Sequence, residues 1–164
     1  MTLTNLNEIA EYIVSNGKGI LAADESTGTI KKRFDSINTE STEQSRKTYR
    51  EMLFQADGMK DNIGGVILFE ETLRQISDDG TSLVKVISNQ GALPGIKVDK
   101  GLSPINDNSE ETVTNGLDDL DQRCKEYFEL GAKFTKWRAV INIGNDVPTD
   151  NCINENMLRL ANYA

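Results

Sequence analysis

The sequence predicts an α/β fold, a parallel sheet in about four strand–helix units behind an N-terminal helix. Two observations predict it. Short apolar runs of strand length alternate with amphipathic stretches of helical period. Those runs are continuously apolar rather than alternating, the pattern of strands covered on both faces. Strands separated by helices pair in parallel through right-handed crossovers. Two architectures satisfy this order. One is about half of a closed (β/α)8 barrel, which takes eight units over about 250 residues. The other is a complete doubly wound sheet of four or five strands.

The elements follow in order. A helix is expected from Asn5 to Ser15, with Ile9, Ile13 and Val14 as its apolar stripe and Gly17 as its stop. Gly19 to Asp24 reads as a buried strand ending in an acid. The segment Glu25 to Arg33 reads as a hydroxyl-rich loop and a basic turn. Ser41 and Gln44 fit a capping box, opening a helix to about Ala56 with Tyr49, Met52, Leu53 and Ala56 on one face. Gly65 to Phe69 is the second strand, followed by Glu70 and Glu71. Ser82 to Asn89 is a short helix stopped by Gly91, and Pro94 to Asp99 is the third strand. Residues 100–116 are expected to be a long polar loop. Leu117 to Leu130 is a helix with Leu117, Leu120, Cys124 and Tyr127/Phe128 as its stripe. Lys133 to Ile141 is the fourth strand, and Thr149 to Ala164 is a helix with Ile153, Met157, Leu160 and Ala161 at helical spacing. That last helix has no glycine or basic cap, so the chain is expected to be part of a longer protein.

Composition narrows the chemistry. Among 164 residues, 18 Lys+Arg against 26 Asp+Glu give a net charge of −8, which argues against electrostatic binding of nucleic acid or anionic membrane. No window reaches the roughly 20 apolar residues of a spanning helix, and the start lacks the features of a secretory signal. Histidine is absent, so Ser–His and Cys–His nucleophile pairs and histidine zinc sites are excluded. Chemistry must come from lysine, arginine, carboxylates or hydroxyls. Cys124 and Cys152 are too few for a disulfide scaffold, and two reduced thiols place the chain in the cytoplasm. A dinucleotide fingerprint and a P-loop are both missing.

The charges gather where such folds bind ligands. Asp24 ends the first strand, Glu70 and Glu71 the second; Lys97 and Asp99 share a face of the third, and Lys136 and Arg138 a face of the fourth. Ligands of parallel α/β folds sit at C-terminal strand ends. Lysines and arginine attract phosphate. A lysine beside another cation loses proton affinity, and a carboxylate moves protons or holds hydroxyls. Ser26, Thr29 and the following Lys31-Lys32-Arg33 could hold a phosphate; an ordinary helix cap accounts for them equally. Arg46 reads first as part of a solvated helix face. Carbonyl or sugar-phosphate chemistry fits this set.

Together the segments resemble class I fructose-bisphosphate aldolases. The resemblance is carried by Gly19-Ile20-Leu21-Ala22-Ala23-Asp24-Glu25-Ser26-Thr27-Gly28, by Ile63 to Phe69, by Gly95-Ile96-Lys97-Val98-Asp99-Lys100-Gly101, and by Ala132 to Arg138 with its Lys136-Trp137-Arg138. They stand in the family's order and spacing over nearly the whole chain. The resemblance implies the barrel: residues 1–164 would be a single partial domain, the N-terminal half of a (β/α)8 TIM barrel. It also implies a homotetramer, no metal and no other cofactor. The implied reaction is reversible cleavage of fructose 1,6-bisphosphate to dihydroxyacetone phosphate and glyceraldehyde 3-phosphate through a lysine Schiff base. Asp24 matches the aspartate that contacts substrate hydroxyls and assists proton movement. Lys136 matches the lysine that helps form and dehydrate the carbinolamine, and Arg138 its neighbouring arginine. Lys97, with Ser26 and Thr29, matches the surface for the 6-phosphate. Arg33 matches an arginine near substrate phosphate, and Arg46 a position sometimes assigned to substrate.

The family's catalytic glutamate and Schiff-base lysine lie on its fifth and sixth strands, and its C-terminal tail carries a tyrosine. All are expected outside this chain, which alone would be inactive. Two alternatives remain: a non-catalytic half-barrel that acts as an interaction module through open sheet edges, and a Schiff-base aldolase for another sugar phosphate.

Overall fold

A computed structural model describes residues 5–107 and 109–164. Helix α1 (Leu6–Val14) leads into β1 (Gly19–Ala23), α2 (Thr27–Asp35), α3 (Glu43–Phe54), α4 (Met59–Asn62), β2 (Ile63–Leu68), α5 (Glu70–Leu73), α6 (Leu83–Asn89) and β3 (Leu93–Lys97). A hairpin of β4 (Leu102–Pro104) and β5 (Thr112–Thr114) follows, then α7 (Leu120–Glu129), β6 (Phe134–Lys136) and α8 (Asp150–Tyr163). Strands pair in the order β1-β2-β3-β6. A doubly wound sheet reverses its strand order at a switch point. Here the order is sequential, the pattern of barrel strands, and this decides between the two architectures.

The chain forms two compact units. Among the described residues, the first holds 5–97 and 126–135. Its sheet is parallel, with Ala23, Leu68 and Ile96 in one row, all fully buried, and Ala22, Ile67 and Gly95 in the row before. Ile30, Phe34, Phe54, Leu83 and Ile87, from the helices of this unit, are buried as well, and Phe34 meets Tyr49 edge to face at 5.7 Å. On the other face the Phe134 ring lies where Cβ atoms on Gly65 and Gly95 would stand. Glycine there makes room for the aromatic ring.

Several expectations are corrected in this unit. β1 is not buried on both faces: Ile20 is 46% exposed and Ala22 is exposed, because β1 stands at the end of the strand order. Val14 is exposed, leaving Ile13 as the anchor of α1. The segment expected as a loop after β1 is helix α2; its only apolar pair is Ile30 and Phe34, the minimum i, i+4 stripe. The cap of α3 is Thr42 with Ser45, one residue on from the expected pair, and each side chain bonds the other's backbone N–H. The buried face of α3 is Arg46, Lys47, Arg50 and Phe54, and Met52 is exposed. Glu70 and Glu71 open α5.

The second unit holds residues 98–125 and 136–164. Residues 100–116 are not a plain loop: β4 and β5 pair antiparallel, and just beyond them the Lys100 N–H donates to the Asn115 carbonyl at 2.8 Å and the Asn115 N–H to the Gly101 carbonyl at 2.9 Å. The three-residue strands are largely polar, so apolar runs do not mark them. Arg123 donates to the Val98 carbonyl at 3.0 Å and to Asp119 at 2.8 Å. The regular part of the fourth strand stops at Lys136, well short of Ile141. Helix α8 buries Cys152 and Asn156, whereas Met157 and Leu160 of the expected stripe are exposed. Asn156 donates to the Thr112 carbonyl at 3.0 Å.

The start of α8 is tied to β5 by Glu111, whose carboxylate accepts the Thr149 N–H at 2.7 Å and its hydroxyl at 2.8 Å. Those two bonds hold the Glu111 carboxyl below the usual carboxylate range. A depressed carboxyl contributes stability that is complete above its unfolded value, near 4.3, and lost as pH falls through the folded one. Trp137 stacks on Tyr163 at 5.3 Å and reports on this unit. Tryptophan fluorescence melts from pH 7 to pH 3 are expected to show a steeper acid-side loss for the wild type than for Glu111→Gln. Parallel curves would refute the assignment.

Candidate functional site

Continuing the register by one residue puts Asp24, Phe69 and Lys97 in the row after Ala23, Leu68 and Ile96. Side chains alternate along a strand, so this row faces the same way as Ala22, Ile67 and Gly95, away from the helix-covered core. Neighbouring strands lie about 4.8 Å apart, so on this register the backbones at Asp24 and Lys97 are about 10 Å apart. Both are half-buried. A carboxylate and an ammonium at the carboxyl ends of parallel strands suit a ligand that carries both hydroxyls and an anionic group.

Beside Asp24 the chain turns into α2, whose N-cap is Ser26. The Ser26 carbonyl accepts the N–H groups of Thr29 and Ile30, each at 2.9 Å, and the Ser26 and Thr29 hydroxyls lie 3.1 Å apart. The two hydroxyls are thus paired at a helix N-terminus, where unpaired N–H groups favour an anion. Arg33, exposed on α2, is ion-paired with Glu25.

Behind this segment lies a buried ion network that the sequence did not suggest. Arg46 donates to Glu71, with Nε at 2.9 Å from Oε2, and to the Ser41 carbonyl at 3.1 Å. Its expected place on a solvated face is corrected: it is 8% exposed, since Glu71 supplies the countercharge that makes burial tolerable. Arg50 is fully buried, donates to the Glu25 carbonyl at 2.6 Å, and reaches Glu71 at 3.4 Å. The hydrogen bond to Glu71 raises the Arg46 guanidinium and lowers the Glu71 carboxyl, while burial pulls Arg50 down. Lys47 pairs with Asp78. A signal existed: Arg46, Lys47 and Arg50 occupy one helical face, which needs acids nearby if it faces the core.

In the second unit, Lys136 ends β6 and is half-buried, and its carbonyl accepts the Val98 N–H at 3.0 Å. Asp99 is buried and lies past the end of β3, which stops at Lys97. Arg138 likewise lies beyond β6, not in a strand with Lys136, and is exposed; its carbonyl accepts the Thr114 hydroxyl at 2.6 Å. Among the described residues, no cluster of three or more carboxylate or thiol groups could hold a metal ion, and no helix is long and apolar enough to cross a membrane.

A family profile described as "Glycolytic: Fructose-bisphosphate aldolase class-I" matches residues 5–164. A probable fructose-bisphosphate aldolase class 1 of Xanthomonas campestris is 50% identical over 164 residues, 100% of this chain and 49% of that protein. The cytosolic fructose-bisphosphate aldolase 6 of Arabidopsis thaliana is 55% identical over 155 residues, 94% of this chain and 43% of that protein. A solved structure of the Plasmodium falciparum fructose-bisphosphate aldolase, in complex with TRAP and a small-molecule inhibitor, superposes with a TM-score of 0.92 at 51% identity, covering 95% of this chain and 46% of that one. The chain thus spans about half the length of the relatives it matches.

Proposed function

Because the chain belongs to the class I fructose-bisphosphate aldolase family, we propose that it carries part of the site of a Schiff-base aldolase. That enzyme reversibly cleaves fructose 1,6-bisphosphate to dihydroxyacetone phosphate and glyceraldehyde 3-phosphate. The observation that carries this reading is that Lys97 ends β3 and Asp24 directly follows β1, at the carboxyl ends of parallel strands and next to the hydroxyl-bearing N-terminus of α2.

In this reading Lys97, Ser26 and Thr29 receive the 6-phosphate. Asp24 holds the sugar hydroxyls and moves a proton, and Arg33, Arg46 and Arg138 contribute positive charge toward substrate. Lys136 assists formation and dehydration of the carbinolamine. The Schiff base acts as an electron sink for the carbanion left by carbon–carbon scission. Its lysine and the catalytic glutamate belong to later barrel strands, and no lysine of residues 1–164 replaces them. The whole protein would be a cytoplasmic homotetramer needing no metal or cofactor. Its domain is one barrel, of which these residues form a part.

Two measurements test this together. Titration calorimetry of the 164-residue chain with fructose 1,6-bisphosphate is expected to show binding. Borohydride treatment of the mixture is expected to leave the intact mass unchanged. Failure to bind would overturn the site, and a stoichiometric adduct would show that a lysine within the chain forms the Schiff base.

A further inference from the structure

The guanidinium of Arg50 is costly to bury. It has no solvent exposure, and an unpaired buried charge carries a large desolvation cost. Its contacts are a backbone carbonyl, Glu25 O at 2.6 Å, one carboxylate oxygen of Glu71 at 3.4 Å, and the Phe69 ring with its centroid at 5.8 Å. Replacing a buried ion pair by apolar residues of like volume is often neutral or stabilising. The arrangement therefore has to be explained by geometry rather than by stability.

The geometry is specific. Arg50 reaches from α3 to the first residue after Asp24 with one end of its fork, and toward Glu71, just after Phe69, with the other. Phe69, whose ring the guanidinium faces, directly follows β2. One side chain thus ties the segment that follows β1 to the segment that follows β2. Lysine, a single point charge on a flexible stem, cannot span both ends.

We propose that Arg50 is a positioning residue: by holding the Glu25 carbonyl it fixes the segment Asp24–Thr29 in the form that receives an anionic sugar phosphate. The consequence for ligand rests on the function proposed above. The fixing of the segment does not.

Amide hydrogen exchange in the 164-residue chain tests it, read at Thr29 and Ile30, whose N–H groups depend on the Ser26 carbonyl. In Arg50→Lys these two amides are expected to lose at least tenfold in protection relative to Val66 and Ile67 of β2. Affinity for fructose 1,6-bisphosphate is expected to fall at least tenfold. Glu71→Gln leaves the bond to Glu25 intact, so it is expected to lower the melting temperature without that selective loss. An even loss over β2 and the loop in Arg50→Lys, or none, overturns the proposal. Should Arg50→Lys not fold, Arg50→Met keeps the buried volume, removes the bond to the Glu25 carbonyl and leaves Glu71 paired with Arg46. The same selective loss at Thr29 and Ile30 is then expected, and an even one overturns the proposal. If the wild type does not bind fructose 1,6-bisphosphate, the functional reading fails, while the exchange data still decide the role of Arg50.

Discussion

Lys97→Ala is expected to weaken binding of fructose 1,6-bisphosphate about 10- to 100-fold, because a hydrogen bond to a charged group is worth about 1.5–3 kcal/mol. The loss should shrink as salt is raised, since half-buried charges remain partly screened. Inorganic phosphate separates the roles of the two row partners. Lys97→Ala should weaken inorganic phosphate as well as the sugar bisphosphate, for it removes an anion contact. Asp24→Ala should weaken the sugar bisphosphate only, because a carboxylate holds hydroxyls and repels phosphate. It should bind inorganic phosphate as well as, or better than, the wild type. Titration calorimetry at two salt concentrations measures all four combinations. Binding within twofold of wild type in Lys97→Ala, or equal weakening of inorganic phosphate by Asp24→Ala, would remove the division of labour on which the site is built.

How far the sequence could be read depended on what each segment had to bury. β2 and β3 were legible because they carry apolar residues on both faces, and Lys97 was placed near the carboxyl end of β3, which it closes. α6 was legible through Ser82, which caps the Lys85 N–H. α2 was missed because Ile30 and Phe34 alone face the core while hydroxyls and cations fill the rest. The buried face of α3 was misassigned for a different reason. Periodicity counts Arg46 and Arg50 as solvent-facing, and only the later Glu71 and the Glu25 carbonyl, 21 and 25 residues away from Arg50, make the opposite placement possible. The same holds for α8, where Asn156 takes the core position because its amide satisfies the Thr112 carbonyl. Long-range polar pairing carries no local signature. The places of Asp24 and Lys97 at or just past strand ends were readable from the sequence. The arginine network behind them was not.

The sharpest stability effect is expected from Gly64→Ala. A Cβ at that position would stand 2.0 Å from the Ile13 carbonyl oxygen and 2.6 Å from its carbon. The obstacle is the backbone at the C-terminal turn of α1, so relief requires the helix to move off β2, carrying the buried Ile13 with it. Overpacking of a core commonly costs about 1–3 kcal/mol when side chains can yield. Here they cannot, so the upper end is expected. In a chain of this size that lowers the melting temperature by about 6–12 °C. Gly95→Ala meets the Phe134 ring at 2.4 Å instead, and a ring can tilt, so its loss should be smaller. Gly28→Ala has nothing within 4 Å and lies in α2 without positive φ. It should stabilise by up to about 1 kcal/mol through the unfolded chain. Calorimetric melts of the three variants must therefore rank Gly64→Ala below Gly95→Ala, and Gly28→Ala at or above wild type. A Gly64→Ala protein melting within 2 °C of wild type would mean that α1 does not lie against β2 as described, and the seating of Ile13 beneath the sheet would have to be abandoned.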